Sequence, residues 1–355
     1  MRYPLLVSPL FTSMVPLLAM TAGFALTASQ AVGQTAPAIK IAPVATAKNW
    51  TLPKTPWGDP DLQGTWTDDD CIGTPTNRPA EFGDRGFYTE QELADRESRL
   101  VKQLQNDQVE TAESQRVGTG PPPHWGERAR RPCKQTSLVV DPPNGRTPDL
   151  LPEAKARPIP EGAGNNAPKA DSWEDFSYYI RCISRGVTGS IMPVIYGNGQ
   201  QIVQAPGYVT ILQEMVHEAR VIPTDGRPHA NANIRSYMGD PRGHWEGNTL
   251  VVETTNFLGG KTGIGANGGG TPTSDALKIT ERYTRIGPNE MKYEATIDDP
   301  KTYTAPFKVA FPLTQEAGYQ NFEYACHEGN YAMFDSLSGA RADEKKAAAK
   351  AAAKQ

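Results

Sequence analysis

The sequence lacks a surplus of charge of either sign. Its 36 lysines and arginines nearly balance 40 aspartates and glutamates, which leaves a formal net charge of -4 on 355 residues. Nucleic-acid binding needs a concentrated basic surface that displaces counterions from phosphates. The sequence offers no such stripe, so we predict that nucleic acid is not a partner.

The common short motifs of catalytic and cofactor sites are also missing. There is no G-x-S-x-G elbow, no P-loop and no G-x-G-x-x-G that follows a strand and opens a helix. The glycine run at 265–270 is predicted to be a flexible loop. Histidine is scarce, and the H-x-H or H-x-x-x-H spacing that pre-forms a zinc site does not occur among His217, His229, His244 and His327. We therefore expect neither a cofactor nor a metal.

Long apolar runs are absent beyond the N-terminus. Residues 1–31 have the pattern of a secretory signal peptide: Arg2, the uncharged apolar run Leu5–Leu26, and small residues at Ser29–Ala31. We predict cleavage and a periplasmic or secreted protein that has no membrane span after signal removal. An uncleaved membrane anchor is the alternative. A polar, proline-punctuated flexible linker is predicted over 32–54.

Cysteine is also scarce, with four residues and no C-x-x-C pair, which argues against a zinc or redox motif. In an exported protein an even number of cysteines predicts disulfides, and three pairings are possible. We predict Cys71–Cys133 and Cys182–Cys326, with free buried cysteines as the alternative.

Glycine and proline are abundant, at 33 and 31 residues, which favours short strands joined by turns. Residues 55–175 are predicted to form an irregular, Pro/Gly-rich N-terminal region with one or two helices, wrapping the domain that follows. Thr89 and Glu92 form a capping box, so a helix is expected over Glu90–Gln105. Short strands are predicted at Leu62–Thr67 and Ser137–Val140.

Residues 176–341 are predicted to be a β-domain because apolar and polar side chains alternate along several segments. The eight predicted strands are Gln201–Gln204, Tyr208–Glu214, Glu218–Thr224, Thr249–Phe257, Leu277–Ile286, Met291–Ile297, Phe307–Leu313 and Asn321–Cys326. This mainly β pattern favours a lipocalin-like antiparallel β-barrel, since closure removes exposed strand edges. A sandwich is the alternative. The tail at 342–355 is predicted to be disordered or helical.

Several long blocks resemble a large family of secreted bacterial proteins that begin TPWGDPDLQG-x-W. The matching blocks, which cover nearly all of the mature chain, include TPWGDPDLQGTW (55–66), SLVVDPPNGR (137–146), RCISRG (181–186), EMVHEARVIPTDGRPH (214–229), MGDPRGHWEGNTLVVETTNF (238–257) and EYACHEGNYAM (323–333). The resemblance implies a lipocalin-like, or calycin-like, barrel after an irregular N-terminal part, and implies no particular activity. Asn248 departs from the family's usual aspartate, and Cys71 and Cys133 are additions.

Histidine, arginine and carboxylate side chains concentrate between two predicted strands and just after them. Glu214-x-x-His217-x-x-Arg220 suggests a histidine oriented by a carboxylate, a pair suited to acid–base catalysis. An exposed hairpin tip with an ordinary salt bridge is the alternative. The turn Asp225-Gly226-Arg227-Pro228-His229 holds our best proton-transfer candidate, His229, on a constrained loop. A structural His and Arg bonded to backbone carbonyls is the alternative there.

These groups predict an exported enzyme that performs cofactor-free acid–base chemistry on a small amphipathic organic molecule in a barrel mouth. The reaction would be that of a lyase, isomerase or hydrolase, with arginines stabilising negative charge. The residues assigned to catalysis are His229, His217, Asp225 and Glu214. Those assigned to substrate binding are Arg220, Arg227, Asn256, Thr254, Tyr324 and His327. The alternatives are a lipocalin-like carrier of an apolar ligand and a cell-envelope interaction protein.

Overall fold

Two antiparallel β-sheets form the core of the computed structural model, which describes residues 50–107, 129–159, 170–260 and 262–353. The described residues belong to one compact unit, Pro43–Gln355. The predicted signal peptide and most of the predicted linker lie outside the described residues.

The first sheet has four strands in the order β1-β3-β4-β5. Its strands are β1 (Gly64–Trp66), β3 (Gln200–Ala205), β4 (Tyr208–Gln213) and β5 (Ala219–Pro223). The two-residue turn Pro206-Gly207 joins β3 to β4, and the left-handed φ of 77° at the second position explains the glycine. The register of the hairpin sets Ile202 opposite Ile211 on the buried face.

The second sheet has six strands in the order β2-β10-β9-β8-β7-β6. Its strands are β2 (Val139–Asp141), β6 (Asp240–Glu246), β7 (Thr249–Thr255), β8 (Lys278–Gly287), β9 (Glu290–Asp298) and β10 (Phe307–Thr314). Tight turns join β6 to β7 at Gly247-Asn248 and β8 to β9 at Pro288-Asn289, so Asn248 occupies a turn.

The core is formed by the inward-facing side chains of the strands. Along a strand, buried and exposed side chains alternate, as the period of two predicts. Along β9 the buried residues are Met291, Tyr293, Ala295 and Ile297, and each intervening side chain is at least partly exposed. Burying an apolar side chain of this size stabilises a fold by about 1.5–3 kcal/mol. The largest buried side chains include Trp66, Tyr283, Tyr293, Phe307 and Phe311.

In the described residues, two of the four α-helices are long and two are a single turn. The α-helices are α1 (Glu90–Asp107), α2 (Pro152–Lys155), α3 (Gly186–Gly189) and α4 (Tyr331–Ala352). Single 3-10 turns lie at Asp69–Cys71, Ala80–Phe82, Trp173–Asp175, Met215–His217 and Ala266–Gly268. The capping box of α1 is confirmed, because Glu92 N donates to Thr89 Oγ1 at 3.3 Å and Thr89 N donates to Glu92 Oε2 at 2.7 Å. Residues 342–352 of the predicted tail belong to α4, which has no buried residue.

The mainly β class is confirmed, but the closed lipocalin-like barrel is not. Within the described ranges the strands divide between two sheets, and the predicted N-terminal region supplies one strand to each. Asn321–Cys326, predicted as a strand, has no ladder in the structure, because side chains and a disulfide hold its backbone instead. Strand β6 was not predicted, since DPRGHWE contains proline, glycine and charge on both faces.

Both predicted disulfides are present. Cys71 is bonded to Cys133, and Cys182 is bonded to Cys326. Two disulfides fit a protein that folds in an oxidising compartment. Within the described ranges, none of the helices combines the length and the apolarity that crossing a bilayer requires.

Candidate functional site

The residues proposed from the sequence fall into separate parts of the molecule. Glu214, His217 and Tyr324 come together where β4 ends and β5 begins. Arg220 and Thr254 contact each other in the core. The remaining residues lie on or beside the loop after β5, or on the surface: Asp225, Arg227, His229, Asn256 and the exposed His327.

His229 lies between two carboxylates on the half-buried side of the loop after β5. Its Nδ1 is 3.0 Å from Asp240 Oδ2, and its Nε2 is 3.4 Å from Glu253 Oε1. Burial works against ionisation of Asp240, but the Ala230 N–H and the His229 and Arg242 side chains hold its pKa below the ordinary value. Both ring nitrogens of His229 are therefore engaged, and the imidazole ties the loop to the sheet.

The rest of this loop is held by the side chains that the sequence singled out. Asp225 and Arg227 form an exposed ion pair within one turn, and the hydrogen bond from Arg227 lowers the pKa of Asp225 to about 2. Asn256, at a left-handed φ of 58°, donates from Nδ2 to the carbonyls of Ala230, Asn231 and Ile234 at 3.1–3.2 Å. These contacts stabilise the loop conformation.

Glu214 holds the segment 319–326 against the end of the four-stranded sheet. Its carboxylate accepts hydrogen bonds from Phe322 N at 3.1 Å, from Gly199 N at 3.1 Å and from the Tyr319 hydroxyl. A Cβ on Gly199 would lie 2.5 Å from both Glu214 Oε2 and Asn321 Oδ1, so only glycine fits there. The carboxylate is thus a structural anchor for this segment.

His217 lies beside the same segment in a strained backbone conformation. Val216 and His217 have φ values of 64° and 42°, a left-handed pair without glycine. His217 Nδ1 is 3.0 Å from the Tyr324 carbonyl oxygen. In the neutral ring this contact fixes the proton on Nδ1, which leaves the lone pair of Nε2 for proton transfer.

Arg185 was missed by sequence reasoning, although it lies in the RCISRG block. Its side chain is 1% exposed, and Nε, Nη1 and Nη2 have no hydrogen-bond partner among the described residues. Its Cζ is 5.7 Å from the ring centre of Tyr179, and Tyr196 and Tyr324 stack with ring centres 6.4 Å apart. Burial lowers the pKa of Arg185, an effect that Tyr179 and Asp68 partly offset. Arginine nevertheless stays charged in proteins.

Tyr179, Tyr196 and Tyr324 share hydrogen bonds, and two of them, Tyr179 and Tyr324, line a cavity of about 420 Å³. We call this space the tyrosine cavity; its lining includes Tyr179, Tyr324, Asn330 and the disulfide Cys182–Cys326. Burial, with smaller contributions from Tyr196, raises the pKa of Tyr179 and of Tyr324. Both phenols are therefore neutral at physiological pH and able to donate hydrogen bonds.

A buried ion pair lies deeper, between the two sheets. Arg220 donates to both carboxylate oxygens of Glu281, and Arg220 Nη2 donates to Thr254 Oγ1 at 3.3 Å. The hydroxyls of Tyr283 and Tyr293 donate to Glu281 Oε1 at 2.8 and 3.2 Å. Burial alone would lower the pKa of Arg220, but the charge of Glu281 raises it above the ordinary value.

Two glutamines lie on the buried face of the four-stranded sheet that also carries Arg220, one residue pair closer to the end of β4. Gln200 and Gln213 are direct partners across β3 and β4 and are 0% and 1% exposed. Neither amide atom of either residue has a hydrogen-bond partner in the described part of the chain, and neither does Arg220 Nε. By contrast, Gln204 on this face accepts from Leu62 N at 2.7 Å and donates from Nε2 to Pro60 O at 3.0 Å.

Glu218 links this face to Ser184, the residue that precedes Arg185 in the chain. Its Oε2 accepts from Ser184 Oγ at 2.8 Å, and its carbonyl accepts from Gln213 N at 2.9 Å. Burial raises the pKa of Glu218, while the hydrogen bond from Ser184 and the charge of Arg220 oppose that rise. The sequence signal for this face was the spacing of Gln200, Ile202 and Gln204, which places polar side chains at inward positions of a strand.

Comparison with protein-family models, with curated proteins and with solved structures finds no match. The family resemblance noted above therefore stays a prediction. Among the described residues, no group of three or more His, Cys, Asp or Glu side chains is arranged to hold a metal ion. The class that fold and site define is thus a disulfide-bonded, two-sheet β protein with a cavity lined by Tyr179 and Tyr324 and a buried arginine against the Tyr179 ring.

Proposed function

We propose that this protein binds a small organic anion with an aromatic or other apolar body in the tyrosine cavity. Arg185 carries the proposal: it is a permanently charged group, almost fully buried, whose three nitrogens find no acceptor among the described residues. The charge of Asp68 and the ring of Tyr179 offset the burial of this cation only in part, and buried N–H groups without acceptors are destabilising. An anionic ligand against Tyr179 brings negative charge close to this guanidinium, so binding offsets part of the free-energy cost of burying it.

The cavity fits such a ligand in size and in chemistry. Its volume of about 420 Å³ falls in the range of small-molecule sites. The rings of Tyr179 and Tyr324 offer apolar walls, and a carboxylate can replace the acceptors to which the neutral tyrosine hydroxyls now donate. Because Arg185 Cζ is 5.7 Å from the Tyr179 ring centre, an anion among these hydroxyls also comes under the influence of the guanidinium.

Calorimetric binding of 3-phenylpropanoate, compared with the neutral isostere 3-phenylpropanol, tests the proposal. We expect the wild type to prefer the carboxylate about tenfold or more, since a charge-assisted pair is worth about 1.5–3 kcal/mol. Arg185→Met should remove that preference. Arg282→Met, which removes an arginine paired with Glu246 on the other sheet, should retain it. Equal affinity of the wild type for both compounds contradicts the proposal.

Acid–base catalysis on the bound anion is the second candidate function, and His217 favours it. Its backbone is strained, and its Nδ1 is engaged by a carbonyl, an arrangement that suits proton transfer at Nε2. His229, with both nitrogens held by carboxylates, is the weaker candidate. In turnover assays, His217→Ala should lower kcat/KM and His229→Ala should not. If His229→Ala lowers kcat/KM and His217→Ala does not, the catalytic residue lies on the loop after β5.

The finer prediction of a closed, lipocalin-like barrel is retained as part of the proposal. Thr67 and Thr314 exchange two backbone hydrogen bonds of 2.8 and 2.7 Å, which link the end of β1 to the end of β10. On the opposite side β5 lies beside β6, where a Cβ on Gly243 would come within 2.9 Å of Ile222 Cγ2. These junctions support closure, and the two disulfides support a periplasmic or secreted location.

A further inference from the structure

A second cavity, of about 400 Å³, lies beside the glycine-rich loop at 264–271 and shares no lining residue with the tyrosine cavity. Its walls come from that loop, from Thr76, from the stretch at 147–150 and from Tyr303. We call it the threonine cavity, and its volume falls in the range of small-molecule sites. None of the described residues that line it has a charged side chain.

The hydroxyl groups at this cavity are not used by the fold. Four lining residues carry a hydroxyl that makes no hydrogen bond to any described residue: Thr76, Thr147, Thr271 and Tyr303. By contrast, the hydroxyl of Thr273, two residues beyond the loop and outside the cavity lining, donates to the Thr262 carbonyl at 3.0 Å. The hydroxyls of the lining residues are therefore available to a ligand in exchange for water.

Backbone hydrogen bonds hold the wall that the loop provides. Gly263 N donates to Gly268 O at 2.7 Å, and Gly265 N donates to Gly269 O at 3.0 Å. A Cβ on Gly263 would lie 2.2 Å from Gly269 O, so the two arms of the loop approach each other at a distance that only glycine permits. A wall held in this way is preformed, and a ligand loses little affinity in ordering it.

Tyr303 supplies the aromatic part of the lining. Its ring packs against Phe307 with ring centres 5.0 Å apart and planes at 71°, and its backbone pairs with Leu150. Burial, with a smaller contribution from the charge of Asp299, raises the pKa of Tyr303 to about 12. The phenol is therefore neutral at physiological pH, and it combines an apolar ring with a hydroxyl donor.

We propose that the threonine cavity binds a neutral pyranose sugar. The described lining offers no counter-charge to an ionic ligand, which would lose water without compensation. A wholly apolar ligand would displace water from the hydroxyls and return no hydrogen bonds. A pyranose has an apolar C–H face for the Tyr303 ring and hydroxyls that both donate and accept, as threonine hydroxyls do. This site does not depend on the anion site proposed above.

Titration followed by saturation-transfer NMR tests the proposal. The probes are the methyl pyranosides of glucose, galactose and mannose, each compared with the uronate of the same ring, which adds a carboxylate. The wild type should bind at least one neutral pyranoside, about threefold or more tightly than its uronate. Thr271→Val keeps the side-chain shape and removes the hydroxyl, so it should lower that affinity about threefold to tenfold. Thr304→Val is the matched control, since Thr304 is exposed and outside the lining.

Each outcome decides for or against the sugar site. Absence of binding by every neutral pyranoside overturns the proposal, and so does equal affinity for a pyranoside and its uronate. Wild-type affinity in folded Thr271→Val also overturns it. If Thr271→Val does not fold, Thr147→Val takes its place with the same expectation. Binding that is lost in Tyr179→Leu puts the sugar in the tyrosine cavity and contradicts the proposal, whereas retained binding supports it.

Discussion

Arg185 holds a charge in the interior, its N–H groups have no hydrogen-bond acceptor among the described residues, and the charge of Asp68 offsets its burial only in part. Sites of this kind are often destabilising in the free protein, because binding groups are selected for the ligand and not for the fold. Replacing Arg185 by methionine keeps most of the side-chain volume and removes the buried unpaired N–H groups.

We therefore predict that Arg185→Met is more stable than the wild type, by about 1–3 kcal/mol in the free energy of unfolding. Urea denaturation followed by circular dichroism measures the difference. Arg282→Met, on the partly exposed surface, should change stability by less than about 0.5 kcal/mol. A less stable Arg185→Met protein shows that the guanidinium is already paired, and removes the main support for the anion site.

Glu218 gives a second prediction at this scale, through the pH dependence of stability. Burial raises its pKa in the folded state, so the folded protein holds this proton more tightly than the unfolded chain. Stability associated with protonated Glu218 is then fully present below the ordinary glutamate pKa of about 4.3 and is lost as pH rises through the folded-state pKa. Glu218→Gln keeps a neutral group beside Ser184 and should escape that loss.

Unfolding midpoints of Glu218→Gln and the wild type, measured from pH 4 to pH 8, check this sign (a range of about four units around the glutamate titration). The variant should gain relative to the wild type as pH rises. Glu246→Gln is a control of opposite sign, because the hydrogen bond from Arg282 lowers the pKa of Glu246. A constant difference across the range contradicts the role given to Glu218.

Single residues of the site were partly predictable. Glu214, His217 and Tyr324 were selected from the sequence and do lie together, because a carboxylate or histidine at a strand junction tends to bond the chain that crosses it. Arg185 was not selected, since its burial depends on tyrosines far away in the sequence. No local pattern encodes that environment.

At the scale of elements, the loop after β5 depends on one asparagine. Asn256 donates to three carbonyls of the loop while its own backbone is left-handed, with φ of 58°. Asn256→Gly and Asn256→Ala both remove the donors, but only alanine is strained at this φ.

We predict that Asn256→Ala is less stable than Asn256→Gly by about 1 kcal/mol. Hydrogen exchange at the amides of 230–236 should accelerate in both variants, because the bonds from Nδ2 are lost in both. Urea denaturation gives the stability difference. Equal stability of the two variants means that the backbone relaxes at this position and that the left-handed conformation is not enforced by the fold.

An element could be predicted when the pattern that specifies it lies within its own residues. Strands β8, β9 and β10 were predicted because apolar side chains recur at alternate positions, as at Phe307, Val309 and Phe311, and a Pro-Asn turn joins the first two strands. Strand β6 has no apolar alternation and forms only by pairing with β7. Asn321–Cys326 is aromatic enough to resemble a strand, but its backbone follows Glu214, His217 and the disulfide.

At the scale of the whole molecule, the two disulfides tie irregular chain to the sheets. Cys71–Cys133 closes a loop within the N-terminal region, and Cys182–Cys326 closes a much longer one around most of the strands, with separations of 62 and 144 residues. Removing a native disulfide destabilises a protein by about 2–5 kcal/mol.

We predict that Cys182→Ala with Cys326→Ala lowers the free energy of unfolding by about 2–5 kcal/mol and also exposes residues 319–326 to protease. Replacing Cys71 and Cys133 by alanine should lower stability by a similar amount without that local effect. Guanidinium denaturation and limited proteolysis of the folded proteins measure the two quantities. Unchanged protease resistance in the first variant means that Glu214 and His217 alone hold the segment.

The pairing of β1 with β3, and of Thr67 with Thr314, has a consequence for how an exported chain folds as it emerges. Residues 64–67 emerge from the export channel early, yet their partners follow only after more than a hundred further residues. Contacts of such large sequence separation slow folding and leave strand edges open to wrong association in the meantime. A chaperone that keeps the emerging polypeptide unfolded until residue 314 has appeared should therefore raise the yield of native protein more than any change to its early strands.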